Sequence, residues 1–296
     1  MIERCNDMSQ SFLKETWAGL TWTPWYTFNQ IMETKSLIPA SPGMYRIKPI
    51  GLNHLMYIGQ TGRNLRERVT ELIRNTLKEQ MPFNDPHTAA PSLWAWNDAE
   101  GWEFECSVSE VELPKEHREG LECFLLWSYR VEDGESTFCN HGRFHQNYEK
   151  SKSRKSGFRG GKLQVLDQCN YAWGKSSSPL CFQGTPTSSD FMGLPWSNFI
   201  DIKQISDIPN KRGVYRVKGL KTNTILYIGQ SKQLKNRLRE HMKKNWGQEV
   251  KYSFCVIENT KDYQLKEIEN DLIGAFFSLD NSVPTYQFKN LKIISY

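Results

Sequence analysis

The feature that most constrains this chain is that it writes one stretch twice. LMYIGQTGRNLRERV runs from Leu55 to Val69, and ILYIGQSKQLKNRL from Ile225 to Leu238. Self-similarity at a long period marks a duplicated supersecondary unit, so a fold assigned to one copy has to serve the other. Further anchors recur in the same order. Pro24-Trp25-Tyr26-Thr27-Phe28 is answered by Pro195-Trp196-Ser197-Asn198-Phe199, Ile38-Pro39 by Ile208-Pro209, and Gly43-Met44-Tyr45-Arg46 by Gly213-Val214-Tyr215-Arg216. Aligning Glu122 with Glu269 places Leu121, Leu125 and Leu126 on Ile268, Leu272 and Ile273, and Asn140 on Gln287.

Each copy has the same coarse pattern. MYRIKP with LMYIG, and VYRVK with ILYIG, have the β-branched and aromatic content of a strand hairpin. A helix follows, from Leu65 to about Lys78 and from Gln233 to about Asn245. A third strand, WEFECSVSEV or VKYSFCVIE, precedes an apolar helix bearing the glutamate, Arg118 to Arg130 or Leu265 to Phe277. The expected fold class is α+β: two tandem domains, each a small three-stranded, mainly antiparallel sheet packed with helices in the order β-β-α-β-α. The domains are expected over residues 1–145 and 193–296, with a linker over 146–192.

The first copy is longer by a stretch that includes Met81 to Gly101, whose Pro, Asn and Asp mark a loop or insertion. Its Trp94 and Trp96, with Trp102 and His87 close by, are read as packing a lid or as faces for an exposed base. In the linker, EKSKSRKSGFRGGK carries Lys150, Lys152, Arg154, Lys155, Arg159 and Lys162 with no acid after Glu149, and Gly157, Gly160 and Gly161 keep it flexible. It is either a solvated spacer or a basic arm that tracks a phosphate backbone. Arg143, in NHGRFH, is a further candidate for DNA contact.

Composition narrows the classes. A chain of 296 residues rich in Trp, Tyr and Phe can bury two cores. The formal charge of +5 mildly favours an anionic partner. No apolar run approaches the roughly 20 residues of a membrane span, and MIERCNDMSQSFLKE lacks the apolar segment of a signal peptide, so a cytoplasmic location is expected. Seven cysteines without a CxxC pair read as reduced thiols; Cys139, His141, His145, Cys169 and Cys181 fit no zinc-site spacing.

Taken together, GMY…YIG and GVY…YIG, an arginine on the next helix and a glutamate on a later one resemble the GIY-YIG nuclease superfamily. The resemblance covers about Ser41 to Arg143 and Lys211 to Phe288. It implies metal-dependent cleavage of phosphodiesters in double-stranded DNA, with Mg²⁺ or Mn²⁺ as cofactor. By the same resemblance Tyr45, Tyr57, Tyr215 and Tyr227 would activate and position a nucleophile, Arg68 and Arg237 would bind the scissile phosphate, and Glu122 and Glu269 would hold metal. The chemistry agrees: a carboxylate on an apolar helix is costly unless paired or metal-bound, and guanidinium forks suit phosphate. The family often has His or Tyr four residues after the arginine. The second copy has His241 there, and the first has Leu72. It usually has Asn after the glutamate helix; the first copy keeps Asn140 and the second has Gln287, displaced by a methylene. Three readings stand open. Both repeats cut, one strand each, in a monomer with pseudo-twofold repeats and a restriction or defence role; or one repeat cuts and the other holds DNA, as in a nickase or repair-type incision enzyme; or neither cuts and the chain only binds DNA.

Overall fold

The structure, a computed structural model, describes residues 10–164, 169–201, 206 and 208–291; Cys5 lies outside them. The chain divides into two units, Met1–Pro114 with Ser128–Lys175 and Lys115–Trp127 with Ser176–Tyr296. Both combine helices with antiparallel strands. Among the described residues no helix is long and apolar enough to cross a membrane.

The first unit is built on strands β1 (Tyr26–Thr27), β2 (Gly43–Pro49), β3 (Tyr57–Thr61) and β4 (Phe104–Glu110), in the spatial order β1-β4-β2-β3 with every pair antiparallel. The sheet has one strand more than expected, because the residues after Trp25 add to its edge. Strand β2 is central and buried at every position. Tyr45 and Ile47 face a core shared with helix α1 (Leu65–Thr76), which presents Leu65, Val69, Leu72 and Ile73 at helical spacing. Asn64 caps that helix by accepting from the Glu67 amide at 3.2 Å.

The segment read as a loop insertion instead contains helix α2 (Ala90–Glu100). Pro91 sits in its first turn, where a missing N–H costs nothing, so this proline starts a helix instead of breaking one. Trp94 and Trp96 are buried. Trp96 stacks on Trp102 at 4.9 Å and meets Phe138, His145 and Trp173 at similar range. Packing is therefore the role the structure gives these rings. The basic segment also has a fold. Strands β5 (Tyr148–Glu149) and β6 (Gly161–Lys162) pair antiparallel around a 3-10 turn at Arg154–Ser156. Tyr148, buried, anchors the hairpin by donating to Asp98 Oδ2 at 2.6 Å. Glycine content suggests flexibility because the buried tyrosine at the hairpin's root leaves no periodic signal.

The second unit has strands β7 (Gly213–Gly219), β8 (Ile225–Ser231) and β9 (Val250–Val256) in the order β8-β7-β9, all antiparallel. Helix α4 (Leu234–Met242) covers one face with Leu234, Leu238 and the following Trp246. Helix α5 (Asp262–Asp280) packs Leu265, Ile268, Leu272 and Ile273 against Val214, Ile225 and Ile228. Helix α3 (Lys115–Asp133) belongs to this unit as far as Trp127. It approaches α5 closely: a Cβ on Gly274 would lie 2.6 Å from the Cys123 carbonyl oxygen, and Asn270 Nδ2 donates to that oxygen at 3.1 Å.

The two sheets share details finer than their strand order. Arg46 and Arg216, both buried, donate through Nε to Ser107 and Ser253. Their guanidinium carbons stand 4.3 Å from the rings of Trp22 and Trp196, and 4.7 and 4.8 Å from those of Trp25 and Phe199. Ser107 and Ser253 each donate to a backbone oxygen, of Thr23 and Ser197, at 2.8 Å. This corrects the register of one anchor. Trp22-Thr23-Pro24-Trp25 corresponds to Trp196-Ser197-Asn198-Phe199, three residues from the PWxxF pairing, because either an indole or a phenyl ring can lie over a guanidinium.

Candidate active site

In both sheets the second tyrosine's strand brings its glycine beneath the first tyrosine: Tyr45 pairs with Gly59 and Tyr215 with Gly229. A Cβ on Gly229 would lie 2.6 Å from Tyr215 Oη and 2.7 Å from Tyr227 Cε1, and one on Gly59 would lie 2.5 Å from Tyr57 Cε1 and 2.7 Å from Tyr45 Oη. Only glycine leaves room for two rings to close over the strand. Their centroids are 6.0 Å apart for Tyr215 and Tyr227, and 5.9 Å for Tyr45 and Tyr57.

In the second unit the rest of the set converges on Tyr215. Arg237 and His241 lie one helical turn apart on α4. Arg237 Nε donates to Tyr215 Oη at 3.2 Å, and His241 Nε2 lies 2.9 Å from the same oxygen. The Tyr215 hydroxyl therefore lies between the Arg237 guanidinium, which donates to it, and the His241 imidazole. His241 is fully buried; desolvation, then Lys244 and Arg237, push its pKa down to about 3, so the ring is neutral. Trp246 fixes it, stacking at 5.6 Å and donating to the His241 carbonyl at 3.0 Å. Burial raises the pKa of Tyr215, with Tyr227 and Glu269 adding to it, and burial and Glu269 raise that of Tyr227, so both are phenols at neutral pH. Glu269, half-buried on α5, accepts from the Gln230 amide at 3.1 Å. Burial pushes its pKa up to about 7, against the pull of that hydrogen bond, Lys266 and Arg237. The set thus holds an undercompensated carboxylate, a guanidinium and two phenols.

Tyr45, Tyr57, Arg68 and Asn140 belong to the first unit, whereas Glu122 lies on the stretch of α3 that belongs to the second unit. Arg68 Nη1 donates to the Pro86 carbonyl at 3.3 Å, and its Nε is buried without a partner. Leu72, four residues after Arg68 as His241 is after Arg237, is a core residue. His87, delivered by the inserted segment, is buried with Nε2 2.9 Å from Glu71 Oε2.

Asn140 and Gln287 do the same job by different lengths of side chain. Asn140 Oδ1 accepts from the Ile58 amide at 3.0 Å and its Nδ2 donates to the Ile58 carbonyl at 2.8 Å; Gln287 Oε1 accepts from the Ile228 amide at 3.0 Å. Both hold the YIG strand, so they position the tyrosines, and the extra methylene of Gln287 is absorbed without loss of the bond. Asn140→Leu leaves two buried backbone groups unpaired and is expected to lower unfolding free energy by about 2–4 kcal/mol, measured by urea denaturation.

Among the expected DNA contacts, Arg143 is corrected. It is buried, donates to the Gly174 carbonyl at 2.9 Å and stands over Trp173 at 4.8 Å, and so belongs to the interior of the first unit. Lys152, Arg154, Lys155, Arg159 and Lys162 are exposed on the hairpin, and Lys150 is partly so. Sequence reasoning misses Trp246 and Gln230. The first has a signal in the aromatic five residues after His241, whereas a backbone amide such as that of Gln230 leaves none.

Comparison with known proteins bears on the second unit. Residues 211–278 match the GIY-YIG catalytic domain, a span that contains Tyr215, Tyr227, Arg237, His241 and Glu269. UvrABC system protein C of Fervidobacterium nodosum is 38% identical over 72 residues, covering 24% of this chain and only 12% of that protein's length. No solved structure matches the chain.

Proposed function

We propose that this chain is an endonuclease that hydrolyses phosphodiester bonds of double-stranded DNA, with its catalytic centre at Tyr215, Tyr227, Arg237, His241 and Glu269. The observation that carries the reading is the convergence of Arg237 and His241 on one phenol, beside a carboxylate held near neutrality, within the span matched to the catalytic domain. Arg237 is suited to bind the scissile phosphate through its Nη atoms while its Nε stays on Tyr215. Neutral His241 and Arg237 hold the buried Tyr215 hydroxyl in place, and the partly exposed Tyr227 beside it is suited to orient a water against phosphorus. Water adds its oxygen to phosphorus, the sugar oxygen departs with a proton, and the strand ends in one phosphate and one hydroxyl.

A divalent cation fits Glu269. The carboxylate is undercompensated where it sits, and magnesium commonly takes one or two carboxylates and completes its shell with water and phosphate oxygens. Among the described residues no group of three or more His, Cys, Asp or Glu is arranged to hold a metal by itself. Mg²⁺ or Mn²⁺ bound there supplies charge neutralisation and Lewis acidity at the phosphate.

A second reading, in which the first repeat is a further copy of the domain and cuts the other strand, is favoured by the shared Tyr–Gly–Tyr geometry. Supercoiled plasmid with Mg²⁺ separates the two. Glu269→Ala inactive and Glu122→Ala fully active puts all cleavage in the second repeat. Nicked circles from either single variant, with linear product from the unsubstituted chain, means two centres. A folded chain that cuts no plasmid under Mg²⁺ or Mn²⁺ overturns both.

A further inference from the structure

A second recess in the first unit lies outside the tyrosine centre. On α1 and the turn after it, Arg68, Glu71, Asn75 and Lys78 follow one another at helical spacing and form one stripe. The inserted segment runs back along this stripe. Phe83 lies beside Asn75 and Lys78, His87 pairs with Glu71, and the Pro86 carbonyl accepts from Arg68. The basic hairpin forms the opposite wall and is stitched to the insertion by three hydrogen bonds. The Asn84 amide donates to the Lys152 carbonyl at 3.2 Å, the Arg154 amide to Asp85 Oδ1 at 2.6 Å, and Arg159 Nη1 to the Met81 carbonyl at 2.7 Å. The guanidinium carbons of Arg159 and Arg154 stand 4.6 and 6.0 Å from the Phe83 ring, which holds both over the recess. The cavity has a volume of about 400 Å³ and is lined by the cations Lys78, Arg154 and Arg159 and the acids Glu79 and Asp85, together with Asn75, Gln80 and Phe83.

We propose that this cavity is a nucleotide subsite for the DNA strand that passes Arg68. Lys78, Arg154 and Arg159 pair with the backbone phosphate and the Gln80 amide faces the base, while Asn75, whose Nδ2 donates to the Glu71 carbonyl at 2.9 Å and whose Oδ1 accepts from Lys78 Nζ at 2.7 Å, holds the lysine at the wall. The volume is of the size that encloses a small organic ligand, about 300–1,000 Å³. Asn75 lies seven residues beyond Arg68, about 10 Å along the helix axis, or about three base steps at about 3.4 Å per step. The subsite rests on the nuclease reading for the identity of its ligand, and it assigns the insertion and the hairpin, two segments without a counterpart in the second repeat, a shared task.

The test is fluorescence anisotropy of the full chain with a mixed-sequence duplex of about 30 base pairs, without divalent cation, over a series of NaCl concentrations. Replacing Lys78, Arg154 and Arg159 together by Ser is expected to weaken binding at least tenfold. It should also reduce the slope of log affinity against log salt by about 1, at about 0.9 for the one phosphate no longer neutralised. Asn75→Trp, which fills the cavity and keeps every charge, is expected to weaken binding severalfold. A control chain with Lys155, Lys162 and Lys221 replaced by Ser should lose less than the cavity triple. Thermal melts establish that each chain is folded. Unchanged binding by Asn75→Trp, or equal losses from the cavity triple and the control triple, overturns the subsite. A chain that binds DNA through the cavity yet never cuts plasmid overturns the nuclease reading and upholds the subsite; a chain that binds no DNA overturns both.

Discussion

Glu269→Gln is expected to abolish plasmid cleavage and, in the same protein, to raise the melting temperature at pH 8. The amide has the shape of the carboxylate and keeps an oxygen for the Gln230 N–H, but it neither ionises nor holds a divalent cation. Loss of an electrostatic group at the reacting phosphate costs about 10²–10³ in rate. Stability moves the other way, for the same reason that the residue suits its task. Burial raises the Glu269 pKa from 4.5 to about 7, so the protonated form is the one the fold prefers. Its stabilising contribution is complete below pH 4.5 and is lost as pH rises through 7. A shift of this size corresponds to about 3 kcal/mol, and solvent screening of a half-buried side chain reduces it to about 1–2 kcal/mol. At about 2–4 °C per kcal/mol for a chain of this class, the variant should melt several degrees above the unsubstituted chain at pH 8 and level with it near pH 4.5. Scanning calorimetry at the two pH values checks this. A variant that melts lower at pH 8 means the ionised carboxylate stabilises the fold, and the site is then not poised for a cation.

The same residue shows what a sequence can reveal and where it stops. A glutamate among Ile, Leu and Phe on a helix is legible as a charge needing a partner, and so are the doubled tyrosines and glycines. Their spacing follows directly from strand pairing: the YIG glycine stands opposite the first tyrosine because the hairpin register puts it there. His241 is legible only through the family resemblance, which places a His or Tyr four residues after the arginine. Three features are not. Helix α2 is hidden because proline and small residues read as loop unless the proline falls in a first turn. The hairpin of the basic segment is hidden because its order comes from one buried tyrosine and from hydrogen bonds with a segment far off in sequence. The aromatic register slips by three because pattern matching pairs identical letters, whereas the guanidinium beneath accepts tryptophan or phenylalanine alike. Asn140 and Gln287 are legible as an equivalent pair but not as strand supports, since nothing in the alphabet distinguishes an amide that holds a backbone from one that faces a substrate.

Arg216→Met is expected to destabilise the protein by about 3–5 kcal/mol, although it places an apolar side chain in an interior position. Volume is not what Arg216 contributes there. Its Nη1 and Nη2 donate to the Pro186 and Ser188 carbonyls at 2.6 and 2.8 Å, its Nε donates to Ser253 at 3.3 Å, and its planar head lies against the rings of Trp196 and Phe199. Methionine fills the space beside the rings but leaves two part-buried carbonyls without these donors, and the segment carrying them loses its tie to the strand. Arg216→Lys restores the charge and one donor at a time, so a urea series should order the midpoints as Arg, then Lys, then Met. The adjacent Tyr215 points to the opposite face of the same strand, toward His241. Any shift of the strand that follows loss of the guanidinium therefore moves the phenol away from Nε2, and Arg216→Lys should lower plasmid cleavage at a temperature where the variant is still fully folded. Midpoints that fall for Met and Lys alike, with cleavage by the folded Lys variant unchanged, would confine Arg216 to stability. A graded loss in both makes the buried arginine part of what aims the tyrosine.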